Sequence, residues 1–273
     1  KDTNVVWFRD AYIGSQNYWE GVGTRFGLLG KLFGGITGAG AHQRVNEALE
    51  KLEKDLVAGD NNIDIVGFSR GAAIALHFAN QIQQPIRFLG LWDTVASFGI
   101  PGNEENLGFD LNLPDNVQIC CQAMALDERR HTFPLQRLEA RVADANQPGR
   151  LFEVWFRGVH SDIGGGNDNT ALSSVALQWM FAAALRAGLR LDDTVVNRNA
   201  SRINAGSPIS VHSFDLIKNR FRVVRWNDVA HNTVRFRDND KDRQHNNPPL
   251  SLALVDDSGR SAGQFGRAAG IEA

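Results

Sequence analysis

The sequence is poor in cysteine and has no excess of charge of either sign. Its two cysteines, Cys120 and Cys121, are neighbours inside an apolar run. Neighbouring cysteines rarely satisfy disulfide geometry, so we expect both to be reduced packing residues in a reducing compartment, which excludes a disulfide scaffold. The 29 Lys and Arg residues and the 31 Asp and Glu residues leave a formal net charge of −2. This balance, with no cluster of basic residues, argues against nucleic-acid binding.

The sequence also lacks a hydrophobic run that could cross a membrane. Its longest strongly apolar stretch, 175–185, is shorter than the about 20 residues that a spanning helix needs. The first residues, Lys1–Asn4, lead into a mixed segment rather than an apolar core, so we expect no signal peptide. These absences predict a cytoplasmic protein, or one exported without a signal peptide. A soluble enzyme or an interaction domain remains.

Short β-rich runs alternate with helical patterns over the first two thirds of the chain. This alternation predicts an α/β fold with a mostly parallel sheet and helices on both faces. The predicted helices are 43–57, 71–83 and 172–187, and the predicted strands are 62–67, 86–92, 117–123 and 151–156.

Composition changes after about Asp192, where Asn, Arg, Asp and Ser become frequent. We therefore predict a catalytic domain at 1–190 and a polar C-terminal extension at 191–273 that packs on it. The extension is expected to hold a solvent loop at 238–249 and a flexible tail over the last dozen residues. Near the front, the glycine-rich apolar segment 25–41 fits either a loop that covers the core or a mobile lid over a lipid-like substrate.

The strongest local pattern is Gly67-Phe68-Ser69-Arg70-Gly71, a G-x-S-x-G between a predicted strand and a predicted helix. A serine nucleophile on such a tight turn needs small neighbours, because the backbone is crowded there. The turn exposes the serine oxygen, and the helix that follows offers N–H groups and a positive dipole end to an oxyanion. The pattern predicts Ser69 as a nucleophile and the backbone N–H of Arg70 as the first oxyanion donor.

A nucleophilic serine of this kind requires an acid and a base from later strand ends. Asp93 ends the next predicted strand, so it is the favoured acid, with Asp162 as the alternative. Among seven histidines, His160 follows a late strand and precedes a glycine-rich loop. His160 is therefore the favoured base, and His231 is its main rival.

Two kinds of cofactor site find little support. The glycines of 34–40 are not followed by the Gly-Lys-Ser/Thr of a phosphate loop. His160 and Asp162 have no neighbouring side chains at a metal-ligand spacing. We expect neither a metal nor another cofactor.

Four separate blocks of sequence, in this order, resemble a known family. They are Gly67-Phe68-Ser69-Arg70-Gly71-Ala72, Leu91-Trp92-Asp93-Thr94-Val95, Ala125-Leu126-Asp127-Glu128-Arg129-Arg130 and Val159-His160-Ser161-Asp162-Ile163-Gly164-Gly165-Gly166. The chain is thereby similar to the α/β-hydrolase family of type VI secretion phospholipase effectors, long catalogued as a bacterial and fungal domain of unknown function. The resemblance extends over about 3–189.

The resemblance implies Ser69 as nucleophile, Asp93 as acid and His160 as base. It also implies that the first strand of the family, which ends in Phe-Asp-Gly-Thr, is missing here. The second oxyanion donor is then expected from the loop 21–24, at the N–H of Gly23.

The resemblance further implies hydrolysis of carboxylic esters, with phospholipids or other lipids as the substrate class. An immunity or secretion partner is expected on the same ground, and the apolar glycine-rich segment after Gly23 is compatible with peripheral contact with a membrane. Two alternatives stay open: an esterase for small esters, and a hydrolase-like domain that binds without catalysis.

Overall fold

A computed structural model of the chain describes residues 2–20, 38–59, 61–96, 108–138, 149–211, 220–236 and 245–266. Within these residues seven strands form one sheet, and their order in space follows their order in the chain. The first two strands pair in parallel, as do the fourth with the fifth and the fifth with the sixth, whereas the last pair is antiparallel. The predicted α/β fold with a mostly parallel sheet is confirmed.

The three predicted helices and four predicted strands lie close to their predicted positions, and the structure contains further elements. The strands are β1 (Ile63–Phe68), β2 (Ile86–Trp92), β3 (Val117–Ala125), β4 (Leu151–Phe156), β5 (Val229–His231), β6 (Ala253–Val255) and β7 (Ser261–Gln264). The helices are α1 (Asn4–Ala11), α2 (Gly38–Val57), α3 (Arg70–Asn80), α4 (His160–Gly164), α5 (Thr170–Arg186) and α6 (Asp193–Ala200), with a 3-10 helix at Asn232–Arg235.

The chain divides into two compact units. One comprises Ser15–Gln122 and His131–Phe152, and we call it the Ser69 unit. The other comprises Lys1–Gly14, Ala123–Arg130 and Glu153–Ala273, and we call it the His160 unit. The predicted domain boundary between residues 190 and 191 stays a prediction.

The core of the Ser69 unit lies between β1, β2 and the helix α3. Alanine favours helix formation and keeps the side chains small, so α3 packs closely on the strands. Strand β2 is buried along nearly its whole length, as expected for an interior parallel strand. The buried residues of this core include Ile65, Ala72, Leu76, Leu89, Leu91 and Cys120.

The core of the His160 unit is built around α5, which is apolar on all sides and buried, as predicted. Trp179 of this helix packs edge-on against Phe156 of β4, with ring centroids 5.4 Å apart. Phe181 stacks on Phe8 of α1 at 5.7 Å. No helix among the described residues has the length and apolar character needed to cross a membrane.

The region after residue 191 contains more regular structure than the sequence predicted. Strands β5 and β6 continue the sheet, although each has three residues. The first residues of the predicted flexible tail belong to β7, and the flexibility of the tail stays a prediction. Strands this short carry no hydrophobic periodicity that a sequence pattern could reveal. Part of the predicted solvent loop, 238–244, and the end of the chain, 267–273, lie outside the described residues.

Candidate active site

Ser69 occupies a strained turn between β1 and α3. Its backbone angles are φ 60° and ψ −128°, in a region that residues other than glycine rarely adopt. Such a conformation costs of the order of 1–3 kcal/mol and persists where surrounding contacts enforce it. Here the Ser69 N–H donates to the carbonyl oxygen of Trp92 at 3.0 Å, and its carbonyl accepts from Ala72 at 3.0 Å and from Val95 at 3.3 Å. This is the geometry expected of a nucleophile elbow.

Gly67 makes the tight turn sterically feasible. A Cβ atom at this position would lie 2.7 Å from the Cα of Ala72 and 2.7 Å from the carbonyl oxygen of Gly71. Both are backbone atoms, so no side-chain rotation could relieve the overlap. A Cβ at Gly71, by contrast, would meet no atom within 4 Å. Close packing of α3 on β1 therefore requires the first glycine of the G-x-S-x-G pattern and not the second.

Asp93 lies beside Ser69 at the same edge of the sheet. Phe68 and Trp92 are partners in the parallel pair β1–β2, so Ser69 and Asp93 each follow a paired residue. Asp93 also has a positive φ of 44° and is fully buried. These positions agree with the strand-end placement inferred from the sequence.

The chain after Asp93 is fixed within the same unit. The buried hydroxyl of Thr94 donates to Oε1 of Gln122, and the backbone N–H of Gln136 donates to the Thr94 carbonyl at 2.9 Å. Backbone and side-chain bonds thus hold the segment from Asp93 to Thr94 in place.

His160, the favoured base, is the first residue of α4 in the His160 unit. Residues 157–159 connect it to the end of β4, so it follows a strand end as predicted. Its side chain is buried, with 3% of its surface exposed. The connection contains Gly158 at φ 124°, where a Cβ would lie 2.5 Å from the Cβ of Asp162.

Asp162, the alternative acid, is engaged in holding its own surroundings. One carboxylate oxygen accepts from the N–H groups of Val159 at 3.1 Å and Ser210 at 3.0 Å. The other accepts from the Asn167 amide at 2.9 Å and from the Ser210 hydroxyl. Burial raises the pKa of Asp162, and these hydrogen bonds oppose the rise. Four donors on one carboxylate favour a structural role, and the alternative triad stays a prediction.

His231, the rival base, lies at the end of β5 and is buried. Its Nδ1 is 2.8 Å from the Thr233 hydroxyl, and its ring stacks on Phe156 with centroids 4.9 Å apart. Its Nε2 lies 3.2 Å from a carboxylate oxygen of Asp257, but without hydrogen-bond geometry. The ring therefore has neighbours on both nitrogens inside its own unit, which favours a structural role for His231 as well.

Two buried acids were given no role in the sequence analysis although they lie beside the His160 segment. Asp127 and Glu128 follow strand β3, separated from its end by Leu126, and are fully buried. Each accepts a hydrogen bond from a backbone N–H of 158–160. The sequence contained one signal for their role. The two acids are adjacent, they follow a predicted strand, and they lie inside one of the blocks that carry the family resemblance.

Some predicted features fall outside the described residues. They are the second oxyanion donor at Gly23 and most of the predicted lid or loop, 25–37. Within the part of the chain that the structure describes, no group of three or more His, Cys, Asp or Glu side chains is arranged to hold a metal ion.

Comparison with known proteins places this region in a family context. Residues 77–183 match the family model described as the catalytic domain of Tle1-like phospholipase effectors of the type VI secretion system. The matched range contains Asp93, His160 and Asp162, and it begins after Ser69. No curated protein matches the chain.

Two solved structures are similar to parts of the chain. One is a crystal structure of an uncharacterized protein from Pseudomonas aeruginosa, with 27% identity, a TM-score of 0.41 and 60% of this chain covered. The other is the Tle1 effector bound to the VgrG spike of the type 6 secretion system, with 26% identity, a TM-score of 0.42 and 61% covered. The chain covers 32% and 41% of the lengths of these two proteins. The family match confirms the resemblance inferred from the sequence: residues 77–183 are similar to the catalytic domain of Tle1-like phospholipase effectors.

Proposed function

We propose that the chain hydrolyses carboxylic esters with Ser69 as the nucleophile. The observation that carries the proposal is the strained elbow at Ser69, held by backbone hydrogen bonds and by the obligatory glycine at position 67. Strain of this kind is common at catalytic positions, because it exposes a side chain in an orientation that an unstrained backbone would not give.

In the proposed reaction, Ser69 Oγ attacks the ester carbonyl while the imidazole of His160 takes the hydroxyl proton. Asp93 orients the imidazole and stabilises its protonated form. The C–O bond of the ester then breaks, and the alcohol leaves with the proton from His160. Water, deprotonated by the same imidazole, attacks the acyl-enzyme, releases the carboxylic acid and restores Ser69.

The oxyanion of each tetrahedral intermediate needs hydrogen-bond donors. Arg70 contributes the first N–H of α3, directly after the nucleophile. The positive end of the helix dipole favours negative charge at this point. The second donor remains the prediction at Gly23.

The match of 77–183 to phospholipase effectors supports lipids, and phospholipids in particular, as the substrate class. On the same ground we propose that the chain is part of a protein delivered by type VI secretion, with a secretion partner and an immunity partner. An esterase for small esters is the alternative, and substrate preference distinguishes the two.

Replacing Ser69 by Ala tests the nucleophile. We expect the variant to lose about 10⁴-fold or more of the hydrolysis rate on short-chain esters and on phospholipid vesicles, because it removes the attacking atom. A fluorophosphonate should label the unmodified protein at Ser69, located by peptide mass spectrometry, and should not label the variant.

The matched control is Ser174→Ala, since Ser174 is also buried and its hydroxyl makes no hydrogen bond. This control should keep both activity and labelling. Hydrolysis that survives in Ser69→Ala would contradict the proposal. An unmodified protein with neither hydrolysis nor labelling would instead support a domain that binds without catalysis.

A further inference from the structure

Two adjacent carboxylates bind the backbone of the segment that carries His160. Oε2 of Glu128 accepts a hydrogen bond from the His160 N–H at 3.1 Å, and Oδ2 of Asp127 accepts one from the Gly158 N–H at 2.7 Å. Both acids and the segment belong to the His160 unit.

Glu128 is itself held rigidly. Its Oε1 accepts from Nε of Arg130 at 2.8 Å and from the backbone N–H groups of Arg129 and Arg130 at 3.0 and 2.9 Å. Its Oε2, which binds His160, is also 2.6 Å from Nη2 of Arg130. A carboxylate with this many donors has no freedom to change rotamer without breaking several bonds.

The charge of Glu128 is maintained despite its burial. Burial alone would raise the pKa of Glu128, but the hydrogen bonds and charge of Arg130, together with the charge of Arg222, hold it at about 2. Glu128 is therefore ionised throughout the pH range in which an ester hydrolase works. An ionised acceptor binds an N–H group more strongly than a neutral one does.

The bond from His160 to Glu128 lies where the chain changes direction. Val159 is extended, with φ −89° and ψ 174°, and His160 begins α4. The first N–H groups of a helix have no acceptor within the helix, so an outside acceptor determines where such a residue sits. For His160 that acceptor comes from 32 residues earlier in the chain.

From this geometry we propose that Glu128 is a positioning residue for His160. It holds the backbone of the base, and so fixes the point from which the imidazole side chain extends, without touching the substrate. The inference rests on the proposed function, since His160 needs positioning only if it acts as the base. Asp127, paired with Arg157 at 2.8 Å and with the Asn246 N–H at 3.0 Å, holds Gly158, two residues before His160, in the same way.

The variant Glu128→Gln tests the positioning role, because it keeps the size of the side chain and removes the charge. We expect kcat on a soluble short-chain ester such as p-nitrophenyl butyrate to fall by about 10-fold to 100-fold with KM unchanged. The limb of the pH–rate profile that depends on the base should also move to lower pH, because a negative charge near the imidazole is lost.

A second variant, Glu128→Asp, separates the effect of the charge of the side chain from the effect of its length. It keeps the negative charge but shortens the side chain by one methylene, so the bond to His160 is lost. We expect kcat to fall while the pH profile stays where it is. The control is Asp64→Asn in the Ser69 unit, which removes a buried carboxylate from its ion pair with Arg87 and should leave kcat, KM and the pH profile unchanged.

The outcomes distinguish this inference from the proposed function. If the unmodified protein is inactive, or if His160→Ala is as active as the unmodified protein, the proposed function fails and the inference fails with it. If His160→Ala is inactive while Glu128→Gln loses only thermal stability and keeps kcat and the pH profile, the inference alone is overturned. Failure of both Glu128 variants to fold would assign Glu128 to the structure of the unit and would also overturn it.

Discussion

The turn that carries Ser69 and the segment that carries His160 are held in place by different means. At Ser69 the contacts come from the backbone: its N–H and C=O groups bond to Trp92, Ala72 and Val95. At His160 the contacts come from buried acidic side chains, Glu128 on its own N–H and Asp162 on the N–H of Val159.

The difference follows from local secondary structure. Ser69 lies between a strand and a helix that pack on each other directly, so neighbouring strands and the helix itself supply acceptors and donors. His160 lies after a longer connection, 157–159, in which the N–H groups of Gly158 and Val159 donate to carboxylates rather than to a strand or a helix. Buried N–H groups need acceptors, and here carboxylates supply them. Both regions share one requirement. Each contains a glycine, Gly67 or Gly158, at which an added Cβ would overlap a neighbouring residue.

The largest effect is expected from Gly67→Ala in the Ser69 turn. The new Cβ would lie 2.7 Å from backbone atoms of Gly71 and Ala72, so α3 would have to move away from β1. We expect a loss of about 3 kcal/mol or more in the free energy of unfolding, measured by urea denaturation, together with loss of fluorophosphonate labelling at Ser69.

Gly71→Ala is the control for this substitution, because its Cβ would meet nothing within 4 Å. Alanine in a helix is favoured over glycine by about 0.5–1 kcal/mol, so this variant should be as stable as the unmodified protein or more so. Equal urea midpoints for the two variants would contradict the steric account of the elbow.

A smaller effect is expected from Gly158→Ala in the His160 segment. Here φ is 124° and the new Cβ would lie 2.5 Å from the Cβ of Asp162, whose position is set by the backbone of the five-residue helix α4, so this short helix would have to shift. We expect a loss of about 2–3 kcal/mol in stability by the same measurement, and a fall in kcat larger than any change in KM.

Gly188→Ala separates backbone strain from overlap at Gly158. Gly188 has φ 85° in the same unit, but a Cβ there would meet nothing within 4 Å. It should lower stability by about 1–2 kcal/mol and leave kcat unchanged. If the two variants reduce kcat alike, the contact between Gly158 and Asp162 has no part in placing His160.

The sequence predicted the Ser69 turn more completely than the His160 segment. Strand β2 was predicted with its observed bounds, and β1 and α3 to within a few residues, because long apolar runs and an alanine-rich helix dominate the local pattern. The elbow follows from five consecutive residues. Its strained geometry could therefore be inferred from a local motif.

The contacts around His160 could not be inferred in this way. Glu128 lies 32 residues before His160, and Ser210 lies 48 residues after Asp162. Only the fold brings these residues together, so the sequence left Asp162 as an alternative acid and could not reveal that four donors occupy its carboxylate. Short strands such as β5 were missed for the same reason, since neighbours rather than periodicity define them.

The smallest effect is expected from acidification. It should lower the stability of the Ser69 unit and of the His160 unit at different pH, because their titrating groups differ. Burial, and then the charge of His42, lower the pKa of His77 in α3 below its ordinary 6.5, while Asp110 opposes them. A lowered folded-state pKa means that the unfolded chain binds the proton more readily, so stability conferred by neutral His77 is lost as the pH falls below about 6.5. Glu128 has an ordinary pKa of 4.5 and a folded pKa of about 2, so its contribution persists above 4.5 and is lost between 4.5 and about 2.

Hydrogen exchange at individual amides, corrected for the intrinsic rate, measures this separation. The Asp110 amide, which donates to Nδ1 of His77 at 3.1 Å, should lose protection as the pH falls below about 6.5, while the His160 amide keeps its protection until the pH is below about 4.5. His77→Gln should abolish the first step and leave the second, because glutamine can accept the same N–H but does not titrate. Simultaneous loss of protection at both amides would mean that the two units open together. The different titrating groups of the two units would then have no separate effect on stability.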